Sequence, residues 1–264
     1  MRYSKVKVFV LMFTLIMGNY FWAQIGMGQW RMHVASAQAI DVAVVENTVF
    51  TAFKNGVFVY NSETEEEELL TDINGLSDIN VSTIYYDEVG EAVLVGYENG
   101  NIDKITSDNI YNIPAIKLAQ IPNSKRINRF ERYGDYVYVA TDFCLSKLDV
   151  DKDEIKDTYY PTNGNEAIRD ISFSGDTIFA LSPTMLKYGL LTNPALPDES
   201  QWQFDNRLPV IAENEYSEIE MFQNKQMVLF KKDGYGMDSV FYLNENGFGL
   251  LTDSPFSLEI NSIN

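Results

Sequence analysis

A block of sequence that recurs every 44 residues constrains the fold of this chain more than any other feature. VFTAFKNG at 49–56 aligns with VLVGYENG at 93–100 and VYVATDFC at 137–144, and IFALSPTM at 178–185 follows after 41 residues. A fixed period of this length indicates one supersecondary unit repeated along the chain, because a single unit is too small to bury its own apolar face. We therefore predict a repeat protein.

Each repeat is predicted to contain four short β-strands. β-branched and aromatic residues fill the runs, and turn sequences such as Asn55-Gly56 and Asn99-Gly100 separate them. The predicted strands are 39–45, 48–53, 56–60 and 67–71; 81–86, 92–97, 101–105 and 109–113; 126–132, 135–141, 144–149 and 154–159. A fourth unit begins near Ile168, carries an insertion at 190–200 and ends with a strand at 201–204, and a fifth covers 216–251.

Four strands in a unit of this length are typical of a β-propeller. We predict an all-β propeller of four-stranded blades, with about five blades plus the start of a sixth. Residues 257–264 resemble an innermost strand. Residues 29–32 resemble 201–204, so they are expected to add an outer strand that completes the last blade. The chain is expected to be an incomplete propeller or the N-terminal part of a longer protein; a closed five-blade ring is the alternative.

The first 23 residues have the pattern of a secretory signal peptide. Arg2, Lys5 and Lys7 precede an apolar run at 8–17, and a cleavage site is expected after Ala23. An uncleaved N-terminal anchor is the alternative reading. The propeller domain is then expected to span 24–264, and no later stretch is long and apolar enough to be a transmembrane helix. We therefore expect an exported protein.

The composition argues against a nucleic-acid ligand. The chain has 38 acidic and 20 basic residues and a formal net charge of −18, with no visible phosphate-neutralising patch. The acidic runs at 63–68 and 149–154 both follow the third strand of a unit, so we expect them to be outer, solvent-facing turns.

The chain offers little for nucleophilic or metal chemistry. It has one histidine, His33, and one cysteine, Cys144, which takes the place of Gly56 and Gly100 in the repeat. We expect His33 to be structural and Cys144 to be a small buried or half-buried side chain. Asp149, Asp151 and Asp153 have calcium-loop spacing, but the sixth and twelfth positions lack the required Gly and Glu. We therefore predict no catalytic residue, no cofactor site and no metal site.

Aromatic and acidic residues leave one alternative open. Tyr85, Tyr86, Tyr97, Tyr159 and Tyr160 would suit a sugar-binding platform, although alternation within strands favours core packing for them. Paired carboxylates for glycoside hydrolysis would have to converge in the central channel, and the sequence singles out no such pair.

The repeat carries a family resemblance. Asn74-Gly75-Leu76-Ser77-Asp78 and the segments around it resemble two-component-regulator-type propellers. A wider set resembles the first propeller of the PorZ-like family of the type IX secretion system, over about 28–190: residues 28–33, 39–43, 55–60, 96–103 and 155–160. Members of that family have two propellers and a C-terminal sorting domain, which this chain does not match.

This resemblance implies a function. It implies a non-catalytic, surface-exposed protein associated with the outer membrane, with the periplasm as the alternative location. Such a protein belongs to the attachment complex, binds anionic lipopolysaccharide, delivers it to the sortase and contacts outer-membrane shuttle and companion barrel proteins. The alternatives are a periplasmic ligand-sensing propeller of a two-component regulator, which would require a transmembrane helix and a kinase, and a propeller-based carbohydrate-active enzyme.

Overall fold

The computed structural model describes residues 38–211, 215–223, 225–232, 238–245 and 247–252. Within them the regular secondary structure is almost entirely β-strand, because runs rich in Val, Ile, Tyr and Phe alternate with turn residues. The predicted signal peptide, the predicted strands at 29–32 and 257–264, and His33 lie outside the described residues.

Twenty strands form five blades of four. Blade 1 contains β1 (Asp41–Val45), β2 (Thr48–Phe53), β3 (Gly56–Asn61) and β4 (Glu67–Leu70). Blade 2 contains β5 (Val81–Asp87), β6 (Ala92–Tyr97), β7 (Ile102–Ile105) and β8 (Ile110–Ile113). Blade 3 contains β9 (Ile127–Tyr133), β10 (Tyr136–Thr141), β11 (Leu145–Asp149) and β12 (Glu154–Tyr159). Blade 4 contains β13 (Asp170–Ser174), β14 (Thr177–Leu181), β15 (Leu186–Leu190) and β16 (Gln203–Phe204), and blade 5 contains β17 (Glu215–Phe222), β18 (Lys225–Lys231), β19 (Ser239–Asn244) and β20 (Gly247–Thr252).

Every blade is an antiparallel sheet whose strands pair in chain order. The first strand of each blade packs beside the first strand of the next, in the order β1, β5, β9, β13, β17. The predicted all-β propeller is thus confirmed, and most strand bounds lie within two residues of the prediction. In the described part of the chain, two short helical turns interrupt the strands, α1 (Ala115–Leu118) and a 3-10 turn (Glu199–Gln201).

The hydrophobic core is divided into four layers, each between two adjacent blades. Between blades 2 and 3, for example, Leu94 and Ile102 of one sheet pack with Phe130 and Val139 of the next. Equivalent layers join blades 1 and 2, 3 and 4, and 4 and 5. Stability therefore depends on contacts between neighbouring repeats, since one sheet alone leaves an apolar face exposed.

The first blade has an uncovered face. Val42 occupies the same register position as Ile84, Phe130, Ile171 and Ile219 in the other blades. Those four side chains are at most 4% exposed because the preceding blade covers them, whereas Val42 is 51% exposed. Among the described residues no strand joins blade 5 to blade 1, so the part of the ring described here is open.

Two sequence predictions need correction. The acidic run at 149–154 does form the outer hairpin turn between β11 and β12, but it is not simply solvent-facing. Asp149 is buried and pairs with Lys152 at 2.8 Å, and Asp153 pairs with Lys104 of blade 2. The last strand of blade 4 contains only Gln203–Phe204, because Trp202 turns inward and donates its indole N–H to the carbonyl of Leu196.

Candidate functional site

The five inner strands line a central channel that contains a layer of polar side chains. One residue of each inner strand belongs to this layer, and each pairs with the same repeat position of the second strand in its blade. The five residues are Asp41, Thr83, Arg129, Asp170 and Glu218. We call this set the charged layer. It lies between two cavities of the channel, one of about 560 Å³ where the inner strands begin and one of about 500 Å³ further along them, and Asp41 and Arg129 line both.

Two carboxylates of the charged layer connect one blade to the next. Asp170 of β13 accepts a hydrogen bond of 2.8 Å from the backbone N–H of Ile219 in blade 5 and another from Ile171. Asp41 of β1 accepts one of 3.1 Å from the backbone N–H of Ile84 in blade 2. Both bonds use an amide of an inner strand, so these carboxylates complete backbone hydrogen bonding between blades.

Arg129 is the cation of the charged layer. Its Nε lies 3.5 Å from Asp170 Oδ1, and its Nη2 lies 3.8 Å from Glu220 Oε2. Burial disfavours the charge of Arg129, but the surrounding carboxylates outweigh burial and raise its pKa. Arg129 therefore stays charged and holds blades 3, 4 and 5 together at the channel.

Two carboxyls near Arg129 have strongly raised pKa values. Burial raises the pKa of Asp170 to about 7, against the opposing effect of Arg129 and of two backbone N–H groups. Burial also raises the pKa of Glu131 to about 7, with Glu220 and Asp170 adding to the effect. Carboxyls of this kind are able to exchange a proton near neutral pH.

The raised pKa of Asp170 does not mean that this carboxyl is accessible to a substrate. Asp170 is only 2% exposed, and both of its oxygens already accept backbone hydrogen bonds. Perturbed pKa values arise in structural ion-pair networks as well as in active sites. Asp170 is therefore placed to connect two inner strands and not to contact a substrate.

The mouth of the first cavity carries two further arginines. Arg126 pairs with Glu98 at 3.0 Å, and Arg169 lies 3.4 Å from Glu215. Their side chains are 37% and 35% exposed, so both are partly accessible to solvent. Three of the arginines thus line one cavity of a strongly acidic chain.

The residues considered from the sequence lie elsewhere. Cys144 is fully buried in the layer between blades 2 and 3, and burial raises its pKa to about 11. Tyr97 and Tyr159 are buried, and Tyr97 donates a hydrogen bond of 2.6 Å to Asp103. Tyr85 and Tyr86 are half-buried inner-strand residues, and Tyr160 is exposed. These five rings lie on or directly after strands of blades 2 and 3, some buried and some exposed, and not in one platform.

No metal-binding group of three or more His, Cys, Asp or Glu side chains occurs within the described parts of the chain. The sequence prediction overlooked the charged layer. The repeat register contains the information that would have found it, because it aligns Asp41, Arg129 and Asp170 at one inner-strand position. None of them stands out when a single unit is read alone.

Three comparisons place the chain among known proteins. The family model described as "TSS9, PorZ, N-terminal beta-propeller domain" matches residues 49–203, which is more than half of the chain. A search of the curated proteins found no match. Within the described residues, no helix is long and apolar enough to cross a bilayer.

Solved structures support the same placement. The chain superposes on PorZ of Porphyromonas gingivalis, which is described as an essential bacterial surface component of the type IX secretion system, with a TM-score of 0.69 and 25% identity. The match covers 86% of this chain and 30% of that one. The extracellular domain of a putative hybrid two-component system from B. thetaiotaomicron matches with a TM-score of 0.57 at 15% identity, covering 80% of this chain and 26% of that one. The WD40 propeller domain of Doa1 matches with a TM-score of 0.58 at 10% identity, and the match covers 81% of this chain and 67% of that one.

Proposed function

The chain belongs to the family of PorZ N-terminal β-propeller domains, and from that membership we propose that it is a non-catalytic binding and assembly module of a type IX secretion system. The family match over residues 49–203 carries the proposal. The structural match covers only 30% of the PorZ chain, so the activity and partners of the whole protein are part of the proposal.

The proposed role is to bind anionic lipopolysaccharide and deliver it to the sortase of the attachment complex. The protein would be exported by its signal peptide, displayed at the outer membrane and held there with shuttle and sortase partners. Arg126 and Arg169 support an anionic ligand at the channel mouth, because they place two partly exposed guanidinium groups there in a chain of strongly negative net charge. Arginine suits phosphate and carboxylate groups, which its planar fork binds with two parallel hydrogen bonds.

The charged layer supports a non-catalytic role. A glycosidase needs two carboxyl groups that flank a bound sugar, one as acid and one as base or nucleophile. Asp170 is instead enclosed by backbone amides and Arg129, where a substrate bond does not reach it. The surroundings of Asp170 therefore favour a structural explanation for its raised pKa.

The experiment compares two double variants of the full-length protein in its own cells. Arg126→Gln with Arg169→Gln removes two partly exposed cations of the mouth, whereas Lys225→Gln with Lys232→Gln removes two exposed cations that do not line the cavity, as a matched control. Membrane fractions are crosslinked, the protein is purified, and co-purified sortase, shuttle protein and lipopolysaccharide are measured. We expect the mouth variant to lose lipopolysaccharide and the control to keep it.

Two results would contradict the proposal. Equal lipopolysaccharide retention by both variants would exclude the mouth as the anion site. Failure of wild-type protein to recover sortase or shuttle protein would exclude the assembly role. A full-length reading frame that encodes a transmembrane helix and a kinase after the propeller would favour the sensor alternative.

A further inference from the structure

Blades 1 and 2 leave a cavity between them, at the end of the blades where the first and second strands are joined. Its volume is about 510 Å³, and its apolar wall includes Val45 and Phe50 of blade 1 and Tyr86 of blade 2. Three exposed carboxylates stand at its edge, namely Glu46, Glu88 and Glu91. We call this cavity the acidic cleft.

The apolar wall of the acidic cleft is less covered than its counterparts in the other layers. Strand pairing within each blade aligns Phe50 with Leu94, Tyr138 and Phe179. Those three side chains are at most 8% exposed, whereas Phe50 is only half-buried. The layer between blades 1 and 2 therefore contains apolar surface that its own two blades do not cover.

In the next layer, between blades 2 and 3, a cation of the chain fills the equivalent place. Arg132 occupies the register position of Tyr86. Its guanidinium group pairs with Asp87, which occupies the position of Val45. The side chain of Arg132 is 13% exposed and that of Asp87 is fully buried, so the pair closes this part of the layer. Between blades 1 and 2 both positions are uncharged, and the place stays open.

The charge around the acidic cleft has a single sign. Every charged residue in the four hairpin turns at this end of blades 1 and 2 is Asp or Glu. Those turns are 46–47, 62–66, 88–91 and 106–109. No basic side chain lines the cleft, and no ion pair among the described residues includes Glu46, Glu88 or Glu91. The cleft therefore repels an anionic group and attracts a cationic one.

We propose that the acidic cleft is the docking site for a basic segment of a partner protein, which inserts a lysine or arginine side chain between blades 1 and 2. The aliphatic stem of that side chain lies against Phe50 and Tyr86, and its charged group lies beside Glu88 and Glu91. Lysine and arginine suit such a site because they bury the stem and keep the cation at a polar edge. The inference rests on the assembly role proposed above and adds the site and the chemistry of a partner.

The test places a photoactivatable phenylalanine derivative in the full-length protein, in its own cells, at the position of Ser107 or, as the control, of Ser174. Both serines are exposed, and only Ser107 lines the acidic cleft. After illumination, crosslinked products are digested and sequenced by mass spectrometry. We expect crosslinks from Ser107 to a partner segment that contains Lys or Arg, and none from Ser174. Crosslinks to a second copy, to lipopolysaccharide or to a segment without Lys or Arg would overturn the proposal, and so would equal crosslinking from both positions or none from Ser107.

Two double variants give an independent measurement. Glu88→Gln with Glu91→Gln removes two carboxylates from the edge of the cleft, whereas Glu63→Gln with Glu65→Gln removes the same charge from a turn that does not line it. The first should lower the amount of co-purified partner by about tenfold, equivalent to ~1.4 kcal/mol of binding free energy, and the second should leave it unchanged. All four side chains are exposed, so thermal unfolding should be the same for both variants. Equal recovery with both variants would refute the docking site.

The outcomes separate this inference from the proposed function. A crosslink from Ser107 to a basic segment of a protein outside the attachment complex would support the acidic cleft and contradict the function. Recovery of sortase and shuttle protein in equal amounts with both double variants, without a crosslink from Ser107, would do the reverse.

Discussion

Asp170 and Ile219 are joined by a hydrogen bond of 2.8 Å that connects the inner strands of blades 4 and 5. Asp41 and Ile84 repeat the relationship between blades 1 and 2. In both cases a carboxylate of the charged layer accepts a hydrogen bond from a backbone N–H of the next blade. The donor is the residue that directly follows that blade's own member of the charged layer. Side chains of the channel thus supply the backbone partners that neighbouring propeller sheets do not give each other.

Replacing Asp170 should weaken this connection. Asp170→Asn keeps the shape but sets an amide N–H₂ against one of two backbone donors, so we expect the free energy of unfolding to fall by about 1–3 kcal/mol. Urea unfolding measures the change, with Asp108→Asn in an exposed turn as the control. Equal stability of the two variants would show that the hydrogen bonds to Asp170 contribute nothing.

The raised pKa of Glu131 predicts that stability depends on pH. The pKa of Glu131 is raised to about 7, against about 4 in an unfolded chain. The folded state therefore binds the proton more tightly, and this stabilisation is complete below pH ~4 and is lost as the pH rises to about 7. Glu131→Gln should reduce the fall in melting temperature between pH 5 and pH 8. An unchanged pH dependence in this variant would contradict the assignment.

Tyr97 should act as a core residue. Its ring is fully buried, and its hydroxyl donates to Asp103, which also accepts from the backbone N–H of Ser77. Tyr97→Phe removes one of these donors from a buried carboxylate, so we expect a loss of about 1–3 kcal/mol in unfolding free energy. Tyr160→Phe, at an exposed ring, should change stability by less than about 0.5 kcal/mol. A larger loss at Tyr160 would reverse this interpretation.

Cys144 should be unreactive in the folded protein. The thiolate is the nucleophile, and burial raises the pKa of this thiol to about 11. A chromogenic disulfide reagent at pH 8 should release no colour until denaturant is added, and then one equivalent. Rapid reaction of native protein would mean that the layer between blades 2 and 3 opens readily.

The uncovered face of blade 1 gives a direct comparison. Ile84→Asp places an uncompensated charge between blades 1 and 2 and should cost roughly 3–5 kcal/mol. Val42→Asp, at the equivalent position of blade 1, should cost less than about 0.5 kcal/mol because that side chain is 51% exposed. A large loss at Val42 in the full-length protein would show that another segment covers this face.

The sequence alone was sufficient for the strands and for their grouping into blades. β5 begins at Val81 and β6 covers Ala92–Tyr97 as predicted. These bounds were predictable because turn residues mark the strand ends locally and the 44-residue period repeats the same pattern in each unit. Asp149 was misjudged as solvent-facing because its burial depends on the lysines that fold back on it. The repeat register aligns the residues of the charged layer, but their ion pairs and burial depend on how neighbouring blades meet.

What the sequence by itself determined is the repeating four-stranded unit, since alternation and turn chemistry operate within a few residues of each other. What only the tertiary structure decided is where the units meet. Arg129 lies 3.5 Å from Asp170 across 41 residues of chain. Val42 is 51% exposed and Ile84 is 4% exposed, because blade 1 packs against Ile84 while no described blade precedes Val42. Burial and charge pairing are set by the neighbour in space, which periodicity does not specify.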